Sequence, residues 1–217
     1  MFVSMPDFSK QLSKYMPEAA APIISQWIND TSCRFKVTRS RKTKLGDYRA
    51  PFRGNPHQIT VNHDLNPYAF LLTSIHEFAH LKTYQDYKST VRPHGKEWKQ
   101  NFVNLIQPFI KLSIFPNDIL IAIASYMNNP AASSCTDLNL YRALKKYDCK
   151  NTEGTVVEDL PQGAIFVLKN GRKFRKMEKI RKRYKCIEIV TDKIYLFHPI
   201  AEVFLSEEEK TYLSIDN

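Results

Sequence analysis

The chain has 217 residues, of which 43% are hydrophobic and 12% aromatic. That is enough for one sizeable core with a small appendage, and it excludes an intrinsically disordered chain. The formal net charge of +10 falls mainly in two blocks: Arg34 to Arg53 holds eight Lys/Arg against the single Asp47, and Lys169 to Lys185 holds ten against the single Glu178.

From the start, apolar residues at helical spacing (Phe8, Leu12, Tyr15, then Ile23, Ile24, Trp27, Ile28) predict one or two helices over residues 6 to 30, with breaks at Pro17 and Pro22. "CRFKVTRS" alternates Phe35 and Val37 with polar residues, as a strand does. "KTKLGDYRAPF" turns at Gly46 into a second strand. "PHQITVN" is a third, with His57, Ile59 and Val61 on one face and Gln58, Thr60 and Asn62 on the other. A small antiparallel sheet is therefore expected ahead of the helices, giving an α+β fold.

Asn66 and Pro67 then suit the cap and first position of a helix. "YAFLLTSIHEFAHLKTYQDY" is apolar on nearly every side, the mark of a helix running through the centre of a domain. A further helix opens at "HGKEWKQNFVNLIQPFI", and two more cover residues 116 to 128 and about 137 to 147. Beyond Cys149 the pattern changes to short strands with turns at Gly163 and Asn170-Gly171, ending in a hairpin through Thr191-Asp192. A boundary near residues 148 to 155 divides the chain into domains 1–148 and 149–217.

The most apolar run, near "ILIAIASYM", is too short and too close to Asp118 to span a bilayer, and no basic segment leads into an apolar one at the start. A cytoplasmic protein without a membrane partner is the expectation. Cys33, Cys135, Cys149 and Cys186 stand far apart and are expected to be reduced thiols rather than a disulfide framework.

"HEFAH" carries the chemistry. On a helix, residues four apart share a face, so His76 and His80 can present imidazole nitrogens to one zinc ion, and Glu77 can reach a metal-bound water without ligating the metal. Burying two imidazoles and a carboxylate on an apolar helix would cost several kcal/mol if they were unpaired, and a metal removes that cost. Zinc needs a third protein ligand. His94, fourteen residues after His80, is the leading candidate, and Glu97 is its rival. His57, His63 and His198 are expected to be ordinary packed or surface histidines, Trp98 a core residue, and Tyr84 a packing residue or a hydrogen-bond donor near the metal.

Together, "RSRKTKLGDYRAP", "HQITVNHDLNPYAFLLTSIHEFAHL" and "PHGKEWKQNF" resemble the SprT-like metallopeptidase family, related to the Spartan proteases, over roughly residues 5 to 115. The resemblance implies a zincin-like domain in which His76, His80 and His94 bind one zinc ion and Glu77 is the catalytic base. It also implies processing of DNA-associated proteins, and zincin folds imply an edge strand, here assigned to "HQITVN", that holds the extended substrate. The family often ends in a zinc ribbon with two Cys-x-x-Cys pairs. Here Cys149 and Cys186 stand singly, so the C-terminal region is expected to be a metal-free β element that keeps a basic surface.

The basic blocks suit a polyanion, most directly DNA, through Arg181, Lys182, Arg183 and Lys185, or else form a solvated face. Phe174 and Tyr184 in the same run either stack on unpaired bases or face the inside of a hairpin. The expected function is a zinc endopeptidase with a protein substrate and DNA nearby. One rival is a nucleic-acid-binding protein with a structural or vestigial metal site. Another is a peptidase for short peptides whose basic blocks are only solvated surface.

Overall fold

The computed structural model describes residues 5–41, 43–128, 137–148 and 154–205. The chain divides into two compact units, Met1–Asp148 and Cys149–Asn217. Cys135 and Cys149 lie outside the described residues. The fold is α+β, and no helix among the described residues is long and apolar enough to cross a membrane.

The first unit opens with α1 (Ser9–Leu12), a short 3-10 turn (Glu18–Ala20) and α2 (Ala21–Thr31). Pro22 occupies the first turn of α2, where its missing N–H has no partner to lose, so it begins that helix rather than breaking one. The strands β1 (Arg34–Thr38), β2 (Gly46–Arg49) and β3 (Gln58–Asn62) form a sheet in the order β1-β3-β2. Two expectations are corrected here. β3 pairs parallel with β1 and antiparallel with β2, so the sheet is mixed rather than antiparallel. The strand at 58–62 is consequently central, and the edges belong to β1 and β2.

β3 is also buried on both faces. Ile59 and Val61 point into the core, while on the other face the Arg41 guanidinium covers Thr60 and Asn62, donating to Thr60 Oγ1 at 3.0 Å and Asn62 Oδ1 at 2.8 Å. Alternation predicted a half-buried strand, and a long side chain from the neighbouring loop supplies the second cover.

Four helices complete the unit: α3 (Pro67–Tyr87), α4 (Lys96–Lys111), α5 (Asn117–Met127) and α6 (Leu138–Lys145). α3 starts where Asn66 Oδ1 accepts the N–H groups of Tyr68 (3.1 Å) and Ala69 (2.9 Å). The same side chain donates to Leu144 O at 2.9 Å and Asp148 Oδ1 at 2.6 Å, tying α3 to the end of α6. Phe70, Leu71, Leu72, Ile75, Ala79 and Leu81 are buried around the circumference of α3, as expected of a central helix. Phe35 of β1 stacks on Phe78 at 6.2 Å, and Trp27 of α2 meets Phe78 and Phe109 edge-on.

The second unit is an antiparallel six-stranded sheet in the order β4-β9-β5-β6-β7-β8: β4 (Thr155–Val156), β5 (Ile165–Val167), β6 (Lys173–Ile180), β7 (Arg183–Glu188), β8 (Ile194–Phe197) and β9 (Glu202–Leu205). Its core gathers Val157, Phe166, Phe174, Cys186 and Val203. Cys186 is a free, buried thiol, and burial pushes its pKa up to about 11. Lys176 is buried too, with its ammonium donating to Glu158 O at 3.1 Å and to Leu160 O.

Candidate metal centre

α3 places His76 and His80 one turn apart, and the loop into α4 returns His94 to the same point. His76 Nε2 lies 3.2 Å from His80 Nε2 and 3.2 Å from His94 Nε2. His94 holds a φ of 56°, in the left-handed region where a non-glycine residue is uncommon, and the adjoining turn closes with Gly95 N–H donating to Arg92 O at 2.9 Å. Strain of about 1–3 kcal/mol at such a residue persists only where the surroundings determine it. Gly95 then caps α4.

One N–H can satisfy one neighbouring nitrogen, but of three imidazole nitrogens facing one another at least two must be alike, and two donors aimed at each other repel while two acceptors lack a proton. Burial lowers the pKa of His76 to about 3 and of His80 to about 4, with the neighbouring imidazoles acting in the same direction, and burial lowers that of His94 as well. All three imidazoles are therefore neutral at pH 7, the form that can ligate a metal. Ligands roughly 2.0–2.1 Å from a tetrahedral zinc ion stand about 3.3 Å from one another, which matches the 3.2 Å separations. The donor set thus fits a metal ion, and its three ligand atoms lie within 4.8 Å of one another. Glu97 is not in this group. Its carboxylate turns back to the start of α4, where a Cβ added at Gly95 would sit 3.1 Å from Glu97 Oε2.

Glu77 is 6% exposed and lies between α3 and β2. Burial raises its pKa to about 8. Asp47 adds to the rise, whereas Arg41, Lys44 and the backbone N–H of Tyr48 oppose it. A carboxylate held this far from water ionises readily only when a cation comes beside it, and the three histidines are where such a cation would sit. A cleft of about 360 Å³ opens over these groups, lined on one wall by Thr43, Lys44, Leu45, Gly46 and Tyr48 and on the other by the histidines.

One residue passed over in the sequence, Tyr48, packs against the histidines. The Tyr48 ring lies 5° from parallel with His80 at 6.3 Å, and its hydroxyl is 2.8 Å from His57 Nδ1. Burial raises the Tyr48 pKa, so the phenol stays protonated. The alternation that puts Tyr48 on the α3 side of β2 was the available signal. Tyr84 packs edge-on against His57 rather than reaching the histidine cluster. Trp98 is fully buried under all three histidines, at 4.6, 5.3 and 4.7 Å from His76, His80 and His94, and its indole N–H has no acceptor among the described residues.

The remaining predicted residues belong to the second unit. Arg181 and Lys182 form the turn between β6 and β7, and Arg183 stands exposed at the start of β7. Lys185, half-buried, pairs with Glu178 at 3.2 Å. Phe174 is 0% exposed and unavailable for base stacking, and the Lys176 ammonium occupies one face of the half-buried Tyr184 ring at 4.2 Å. Comparison of the chain with family models, curated proteins and solved structures gives no match.

Proposed function

We propose that the chain is a zinc-dependent endopeptidase, as its resemblance to SprT-like metallopeptidases implies. The observation that carries this reading is the convergence of His76, His80 and His94 beside the buried carboxylate of Glu77, in a cleft walled by the sheet-edge strand β2. Zinc is favoured over harder ions because the donors are three neutral imidazoles and a fourth position is left open. A bound zinc ion would supply Lewis acidity toward a water molecule and a peptide carbonyl.

The chain's own residues do the rest. Glu77 takes a proton from the attacking water and delivers it to the leaving amine, and its burial keeps that proton from bulk solvent. β3 already has a neighbour on each side, and of the two edge strands β2 is the one that lines the cleft, so β2 is the edge available to pair with an extended substrate. The basic β6–β7 hairpin would keep the enzyme on nucleic acid and direct it toward DNA-associated or DNA-crosslinked proteins. Glu77 also favours this reading over a structural or vestigial site, which has no use for a buried carboxylate next to an open coordination position.

The test is proteolysis of an unfolded protein such as casein by the zinc-loaded chain, alongside Glu77→Gln. The wild type should bind about one zinc per chain and cleave. Glu77→Gln should keep its zinc and lose cleavage, because only the proton acceptor is gone. Equal activity in the two proteins would sink the mechanism.

A further inference from the structure

We infer that Gly46 is a positioning residue for Glu77: the missing side chain at the start of β2 is what lets the carboxylate seat between α3 and the sheet edge. The inference rests on the peptidase reading for its catalytic consequence, but its structural part stands by itself.

Glycine weakens a strand, and it is usually found in one where the backbone must bend or where another group approaches closely. Bending does not explain Gly46. Its φ lies outside the left-handed region, unlike those of Gly54, Gly163 and Gly171, and it pairs regularly with Val61 of β3. Close approach does explain it. A Cβ built at Gly46 would lie 2.5 Å from Glu77 Oε1, 2.9 Å from Glu77 Cγ and 2.7 Å from Thr73 Cγ2. All three atoms belong to side chains of α3, spaced one turn apart and both buried.

Neither partner can give way easily. Thr73 is packed within the unit, and β2 is held to β3 by its ladder and by the loop before it, where Asn62 Nδ2 donates to Lys44 O at 3.0 Å. With any side chain at position 46, the Glu77 carboxylate must swing away or β2 must withdraw from α3. Either movement changes the distance between the base and the histidine cluster, which the metal-binding residues by themselves would not reveal.

Gly46→Ala decides the matter in two measurements. In zinc-loaded protein acting on casein-derived peptides, kcat should fall by about 10²-fold, the scale of a misplacement near 1 Å, while KM and zinc content stay within about twofold. A raised KM with unchanged kcat would overturn the inference, because the glycine would then be making room for substrate. The second measurement needs no activity: the drop in thermal midpoint caused by Gly46→Ala is compared in the wild-type and Glu77→Ala backgrounds of metal-free protein. The drop should shrink by at least about half once Glu77 is truncated, with the remainder due to Thr73. Equal drops would overturn the inference. Should the wild type show no proteolysis at all, the peptidase reading fails, while the stability comparison still decides whether Gly46 sets the place of Glu77.

Discussion

His94 Nε2 lies 3.2 Å from His76 Nε2 across eighteen residues of sequence, brought there by a left-handed turn and a helix start. Replacing His94 by alanine should therefore weaken zinc binding sharply while leaving the fold intact. Glu97→Ala should keep the metal, because that carboxylate lies back along α4. Competition against a chromophoric chelator reads both affinities. Loss of metal in Glu97→Ala with retention in His94→Ala would reverse the assignment of the third ligand.

Stability of the metal-free protein should peak near pH 6.5. His76 and His80 have pKa values lowered from 6.5 to about 3 and about 4, so below pH 6.5 the unfolded chain binds more protons on them and stability is lost as pH falls. Glu77 is raised from 4.5 to about 8, so between those values the folded chain binds the extra proton and stability is lost as pH rises. From pH 4.5 to 6.5 the histidines, with His94 lowered in the same direction, outweigh the one carboxylate, and from pH 6.5 to 8 the carboxylate dominates. Bound zinc should flatten the alkaline limb, since a cation beside Glu77 favours its charged form. Thermal midpoints from pH 5 to 8, with and without chelator, test this. A metal-free profile that does not move with pH would contradict it.

Asn66→Asp should destabilise the first unit by about 1–3 kcal/mol, although aspartate caps helices as well as asparagine does. Asp would keep the acceptor for Tyr68 and Ala69 but lose the donor to Leu144 O, and it would set a carboxylate against Asp148, now 2.6 Å from the Asn66 amide. Denaturant midpoints for Asn66→Asp and Asn66→Ala measure the difference. A near-neutral Asn66→Asp would show that the capping bonds alone matter.

DNA binding, if the second unit supplies it, should be independent of sequence and fall with salt by about 0.9 log unit per phosphate neutralised on duplex and about 0.7 on single strands. Neutralising Arg181, Lys182 and Arg183 together should weaken it, with Lys185 contributing less because Glu178 already pairs with it. With Phe174 buried and one face of Tyr184 taken by Lys176, Tyr184→Ala should not selectively weaken single-strand binding. Anisotropy with labelled oligonucleotides checks all three. Binding indifferent to salt and to these changes would leave the basic hairpin as solvated surface.

Local pattern by itself determined much of this protein. The continuous apolar circumference of residues 67–87 requires a buried helix, and two histidines four apart on it must share a face, because both follow from the 3.6-residue period. Asn66 and Pro67 marked where that helix begins, for reasons confined to its first turn. Tertiary structure decided what depends on pairing and crowding between distant segments. No periodicity in "HQITVN" distinguishes a central strand from an edge, and only the pairing of β3 with both β1 and β2 left the edges to those two strands. The burial of Thr60 and Asn62 came from an arginine 19 and 21 residues away in sequence, and that of Phe174 from its partners in the second core. Whether His94 or Glu97 faces the histidine pair was likewise open, since both lie near the start of α4. A single residue in a left-handed conformation aims one inward and leaves the other along the helix.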